Sequence, residues 1–238
     1  MPCHLEFEIE LRAKGARTVA GVDETGRGCL AGPVYAAAVI LPDQFSHATL
    51  NDSKQLTPEE REEIYAELRG DGRILISCCW ASVEEIERLN ILRASHLAMK
   101  RALRGLPCRP EGILIDGLPI KRFGYRHRSI IDGDAISFSI AAASVVAKVE
   151  RDRHMLELAK KFPRYGFERN KGYGTPGHKR ALRRHGPCSL HRMTFGPVTE
   201  LLMNLRKFVR RRTRALTQQA LRNGGPAVAS PASLVPAS

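Results

Sequence analysis

The chain has 238 residues, 43% of them hydrophobic, enough to bury a substantial core in one large domain. Its 38 Lys and Arg against 25 Asp and Glu leave a formal charge of +13, which favours a polyanionic partner, nucleic acid first, through phosphate neutralisation and counterion release. The cysteines form no CxxC pair, the start lacks the basic-then-apolar order of a secretion signal, and no uncharged stretch is long enough to span a bilayer. Zinc knuckles, disulfide frameworks and membrane insertion are therefore excluded, and the cytoplasm is the expected location.

In chain order, the alternation Phe7, Ile9, Leu11 predicts a half-exposed strand, and the runs 18–23 and 34–41 predict two more. Thr57-Pro58-Glu59-Glu60 carries an N-cap, a proline at the first helical position and a capping-box glutamate, and Gly70 closes that helix. Residues 74–80 and 112–116 read as strands. Ser82-Val83-Glu84-Glu85 starts another helix, with Ile86, Leu89, Met99 and Leu103 near one apolar face. A long helix is expected from Ser139 to about Lys161, since no Gly or Pro interrupts it before Pro163. On it Ser144, Lys148 and Asp152 recur every four residues and share one stripe. Past Pro163 the chain turns basic and glycine-rich, Thr175-Pro176 opens a further helix, and a last one is expected from Val198 to about Arg214. The order points to an α/β fold with a mixed sheet. One domain is expected over 1–222, with a basic helical part from about 163, and a disordered tail over 223–238, where composition shows no period and little charge.

Carboxylates stand where strands or loops meet small or turning residues in Val22-Asp23-Glu24-Thr25, Leu114-Ile115-Asp116-Gly117 and Asp132-Gly133-Asp134-Ala135. Taken alone an Asp-Gly is more often a turn. Together these acids would repel unless protonated or held by cations, and a set of oxygen donors without His or Cys suits Mg²⁺ or Mn²⁺. Such ions activate water for in-line attack on a phosphodiester, so a nuclease accounts for both the acids and the excess of bases. Successive side chains on a strand face opposite ways, and Asp23 and Glu24 are expected to converge through a turn at Thr25-Gly26. Gly26-Arg27-Gly28 lets a ligand approach the backbone closely. The glycines of Gly21–Gly26 lack the Lys and Ser or Thr of a P-loop, and Gly172–Gly177 follows no apolar strand, which argues against nucleotide-cofactor binding. Tyr173, between two glycines in a basic segment, is a candidate for stacking on a sugar or base. A non-catalytic nucleic-acid-binding protein remains the alternative from another class; it would bind in a salt-dependent way without cutting.

The run 21–34, Gly-Val-Asp-Glu-Thr-Gly-Arg-Gly-Cys-Leu-Ala-Gly-Pro-Val, closely resembles the signature of the ribonuclease HII family. Asn51–Leu56, Leu114–Gly117, Gly133–Asp152, Gly172–Thr175 and His191–Phe195 agree in order, so that the resemblance covers roughly Arg17 to Val198. It implies a ribonuclease H-like fold and a monomeric enzyme that hydrolyses the RNA strand of RNA–DNA hybrids and nicks DNA 5′ of embedded ribonucleotides. By the same resemblance Asp23, Glu24, Asp116 and Asp134 are the metal-site carboxylates, and the main chain of Gly26, Arg27 and Gly28 senses the ribose 2′-hydroxyl. Tyr173 matches the tyrosine that stacks on the sugar after the ribonucleotide, while Lys54, Ser144 and Lys148 fall on positions for phosphate contacts or site support. The chain departs from the family's pattern at Cys29, Asp132 and Met193-Thr194; of these Asp132, a fifth carboxylate beside Asp134, is the one expected to disturb the metal site.

Overall fold

The computed structural model describes residues 3–222, so the tail expected to be disordered lies outside the described residues. The chain divides into two compact units, one ending at Arg192 and the other beginning at Met193.

The first unit is built on a five-stranded mixed sheet: β1 (Val19–Thr25), β2 (Val34–Ile40), β3 (Leu75–Ala81), β4 (Gly112–Asp116) and β5 (Arg128–Ile130), in the order β3-β2-β1-β4-β5. β1 runs antiparallel to β2 and parallel to β4, and β4 parallel to β5. The helices are α1 (Glu6–Ala13), α2 (Pro58–Gly70), α3 (Val83–Leu89), α4 (Ile91–Arg104), α5 (Phe138–Lys161), α6 (Phe167–Asn170) and α7 (Pro176–His185). Both capping boxes read from the sequence are formed, Thr57 with Glu60 and Ser82 with Glu85. The second unit contains α8 (Gly196–Arg222), which starts earlier and runs further than the helix expected from Val198 to about Arg214. Among the described residues no helix is long and apolar enough to cross a membrane.

The strand expected at Phe7–Leu11 is instead α1. Phe7 and Leu11 are four apart as well as alternating with Ile9, and as a helix they pack against Val19, Leu114, Ile130 and Ile140 while Ile9 stays exposed. The helix expected to run on from Ser82 is two helices, broken at Asn90. Its φ of 68° ends α3, and its side chain accepts from Arg93 N to begin α4.

α5 is the central element. Its alanine- and valine-rich first half packs on Ala37 and Val39 of β2 and on Ile64, Tyr65 and Leu68 of α2. It crosses β1 at Gly21, where a Cβ would stand 2.1 Å from the Ser139 carbonyl carbon. A side chain there would force the helix off the sheet. α4 covers the opposite face with Ala94, Ala98, Met99, Ala102 and Leu103 buried.

Candidate active site

The carboxylates gather at the C-terminal ends of the parallel pair β1 and β4. Their ladder ends at Val22 opposite Ile115, so the next residues along, Asp23 and Asp116, stand at the edge where pairing stops. β1 continues against β2 through Thr25 opposite Tyr35, which corrects the expected turn: Asp23 and Glu24 leave an unbroken strand on opposite faces, yet at the strand end the Glu24 charge still reaches and raises both Asp23 and Asp116. Asp23 shares the α5 face with Gly21 and is bonded there by the Ser144 hydroxyl. Glu24 takes the α4 face, where it opens with Asp116 into a cavity of about 610 Å³ walled by Leu92, His96 and Met99. The chain turns one step later, at Gly26, whose φ is +91°.

Asp134 arrives from the other side, on a short 3-10 helix, Gly133–Ala135, that leads into α5. Gly133 N donates to Asp116 Oδ1 at 2.8 Å, tying this turn to the end of β4. Burial, then the charges of Glu24, Asp116 and Asp134, push Asp23 well above the ordinary carboxylate range. Asp116 is raised to about 6 by burial and by Asp134, against the Gly133 N–H. Asp134 is raised by burial even though Lys54 Nζ donates to its Oδ2 at 2.8 Å. Burial works against the charge on Lys54, but Asp134, Asp52 and Asp23 outweigh it and raise its pKa. The site thus concentrates negative charge that the Lys54 ammonium and the Arg27 guanidinium on Glu24 neutralise only in part, a demand that further cations satisfy.

The fifth carboxylate is Asp52, not Asp132. Asp132 is exposed at a left-handed φ of 53°, whereas Asp52 hydrogen-bonds Asp134 and accepts from Lys54 N at 2.9 Å. Burial raises Asp52, but the Lys54 N–H and ammonium outweigh it and hold its pKa low. Ser144 is buried and paired with the Ser53 hydroxyl at 2.8 Å. That leaves it support of Asp23, not phosphate contact. Lys148 is paired to Asp152 at 2.7 Å, with its Nζ 5.6 Å from the Tyr173 ring centroid.

Gly26, Arg27 and Gly28 form the loop beyond β1. Arg27 Nη1 donates to Glu24 Oε1 at 2.8 Å. A Cβ on Gly26 would stand 2.2 Å from Arg151 Nε, while one on Gly28 would meet open space. Tyr173 is 37% exposed, and the guanidinium of Arg151 lies 5.6 Å from its ring centroid, a second cation near the ring.

Among the described residues no three acidic, histidine or cysteine side chains already form a closed metal cage. Mg²⁺ and Mn²⁺ require none, because they keep waters and take substrate phosphate oxygens beside one or two carboxylates. Buried, mutually repelling oxygen donors with a lysine ammonium set against them fit such ions.

The ribonuclease HII family model matches residues 20–198. The chain belongs to the ribonuclease HII family. It is 50% identical over 198 residues to the ribonuclease HII of Desulfitobacterium hafniense strain DCB-2, covering 83% of this chain and 76% of that one. With the ribonuclease HII of Cereibacter sphaeroides strain KD131 identity is 54%, covering 82% and 92%. The ribonuclease H2 structure from Pyrococcus horikoshii superposes with a TM-score of 0.66 at 27% identity, covering 80% of this chain and 99% of that one, so the fold is ribonuclease H-like.

The residues that the family model matches begin after α1, yet α1 braces the site. Glu8 is buried, and its Oε1 accepts from Ser137 Oγ, Ser139 N and Ser139 Oγ at the start of α5, next to the Asp134 turn. Cys3 Sγ donates to the Asp134 carbonyl at 3.7 Å. Neither residue carries a local pattern that marks it. The ribonuclease HII departures are quiet: Cys29 is buried with its thiol on the Lys171 carbonyl, and Asp132 points away into solvent.

Proposed function

We propose that this ribonuclease HII nicks duplex DNA on the 5′ side of an embedded ribonucleotide, with Asp23, Glu24, Asp116 and Asp134 holding Mg²⁺ or Mn²⁺, and leaves 5′-phosphate and 3′-hydroxyl ends. The family's activity is hydrolysis of RNA in RNA–DNA hybrids by a metal-dependent endoribonuclease, and this chain has that activity. The observation that carries the site assignment is the convergence of Asp23 and Asp116 at the ends of β1 and β4 with the Asp134 turn, which the Gly133 amide ties to Asp116 at 2.8 Å; burial and mutual repulsion raise all three carboxyls there.

Held by Asp23, Glu24, Asp116 and Asp134, divalent ions would supply a water acidic enough to attack at neutral pH and would stabilise the leaving oxygen. The residues supply position. Asp116 and Asp134 are fixed to each other by the Gly133 amide, and Asp23 is fixed to α5 by Ser144. Lys54, its side chain 75% exposed, can swing from Asp134 to a phosphate. Gly26 and Gly28 admit a ribose to the main chain, where the 2′-hydroxyl distinguishes RNA from DNA. Tyr173 then stacks on the following sugar and selects the RNA-to-DNA junction. The same reading takes the enzyme to be a cytoplasmic monomer, and the free cysteines among the described residues suit a reducing compartment.

A DNA duplex carrying one ribonucleotide, incubated with Mg²⁺ or Mn²⁺, should be nicked on its 5′ side, while an all-DNA duplex stays intact. Equal cutting of both, or of neither while RNA–DNA hybrid is cleaved, contradicts the junction reading.

A further inference from the structure

Behind Tyr173 two fully buried histidines meet ring to ring. His178 Nε2 and His191 Nε2 are 3.1 Å apart, and His178 Nδ1 lies 2.8 Å from the Tyr173 carbonyl. Their protons are fixed by a single backbone donor. Cys188 N donates to His191 Nδ1 at 3.0 Å, so that nitrogen is an acceptor and the His191 proton sits on Nε2. His178 Nε2 accepts it, and the His178 proton sits on Nδ1, donating to the Tyr173 carbonyl. Burial keeps both rings neutral, lowering His178 and bringing His191 to about 4, the latter with the help of His178.

The next residue faces the other reader of the substrate. Arg192 is buried, and its guanidinium donates to the carbonyls of Gly26 at 2.7 Å, Arg27 at 2.8 Å and Gly32 at 3.0 Å. The two loops also touch directly: Leu30 N donates to the Gly172 carbonyl at 2.9 Å, and a Cβ on Gly172 would stand 2.2 Å from the Ala31 oxygen. Neither loop can shift without the other, and the dipeptide His191-Arg192 grips both.

We propose that the His178–His191 couple, continued by Arg192, is a positioning device for junction recognition that holds Tyr173 in register with the Gly26–Gly28 loop. The inference rests on the reading of Tyr173 and that loop as substrate contacts. Release of the Tyr173 carbonyl leaves the loop able to bind a ribose but lets the tyrosine drift from the sugar that follows it. The cost therefore falls on substrates with a junction, not on a continuous RNA strand.

The test compares cleavage of a duplex with one ribonucleotide to cleavage of a uniform RNA–DNA hybrid, at 25 °C and normalised to folded protein. His178→Leu should lower the single-ribonucleotide to hybrid ratio of kcat/KM by about ten-fold, the effect of one lost buried hydrogen bond. His178→Asn, whose amide nitrogen can replace Nδ1 as donor to the Tyr173 carbonyl, should restore much of the ratio. A merely structural histidine would lower both substrates together, and that outcome, or an unchanged ratio in His178→Leu, overturns the proposal. If His178→Leu fails to fold, the same comparison is made with His191→Asn, which keeps an acceptor for Cys188 N and breaks only the link to His178; an unchanged ratio there likewise overturns it. Tyr173→Ala separates the two levels. If it leaves the ratio unchanged, the substrate reading is wrong and the positioning role falls with it; if it lowers the ratio and the histidine variants do not, only the positioning role falls.

Discussion

Lys54 Nζ rests 2.8 Å from Asp134 Oδ2 and 3.4 Å from Asp52 Oδ1, so the ammonium occupies the same charge well that draws a divalent ion. Lysine and metal therefore compete for Asp134. We expect Lys54→Ala to tighten Mn²⁺ binding several-fold by titration calorimetry while weakening substrate binding. Without metal it should cost no more than about 1 kcal/mol of stability, since the lysine is largely in solvent. Unchanged or weaker Mn²⁺ affinity contradicts the competition.

The carboxylates should make the fold sensitive to pH. Asp116 keeps its proton up to about pH 6 when folded, whereas its ordinary value is 3.8. The folded state thus binds more protons between those values, and stability present below them is lost as pH rises through the window. Asp23 and Asp134 shift in the same direction. After discounting for solvent at a half-buried group, Asp116 contributes on the order of 1 kcal/mol. In chelator the Tm of Asp116→Asn should overtake that of the wild type as pH climbs through the window, and Mn²⁺ should raise the wild-type Tm at neutral pH. A Tm difference independent of pH would show that the repulsion is not there.

Asp23→Asn and Asp116→Asn should each abolish cleavage yet still bind a hybrid, measured by anisotropy with a labelled duplex. Turnover retained by either variant removes that residue from the metal site.

Gly21→Ala adds no charge and touches no proposed ligand, but its methyl would collide with the Ser139 backbone. Backbone cannot rotate aside, so we expect a loss on the order of 3 kcal/mol in urea unfolding, with activity falling further than the folded fraction. A loss below about 1 kcal/mol would mean that α5 is free to lift.

How far these relationships are legible in the sequence depends on whether their cause is local. The strands expected at 18–23, 34–41 and 112–116 are plain because Val, Ile, Leu and Ala dominate them, and α2 and α3 announce themselves by capping boxes. The candidate metal-site acids stand out as carboxylates beside strand ends or turning residues, Asp134 on the 3-10 turn before α5. α1 is misread because Phe7, Ile9 and Leu11 fit two periods at once, and the packing that decides between them is supplied by β1, β4, β5 and α5. The break at Asn90 needs a positive φ that an asparagine does not declare. Glu8, His178, His191 and Arg192 are buried polar residues whose partners lie far along the chain or on other elements, and no short pattern encodes them. Asp52 lies within the Asn51–Leu56 block with nothing local to mark it, and only the fold brings it to Asp134 and sends Asp132 into solvent.

The contact of Gly21 with Ser139 also bears on how constant the site can be. Were α5 held off β1 by interdigitating side chains, every rotamer hop would alter the gap between Asp23 on the strand and Ser144 on the helix. Main chain set against main chain has no such freedom. The placement of Asp23 against Ser144 is therefore gauged by the thickness of a peptide unit, a ruler without rotatable parts.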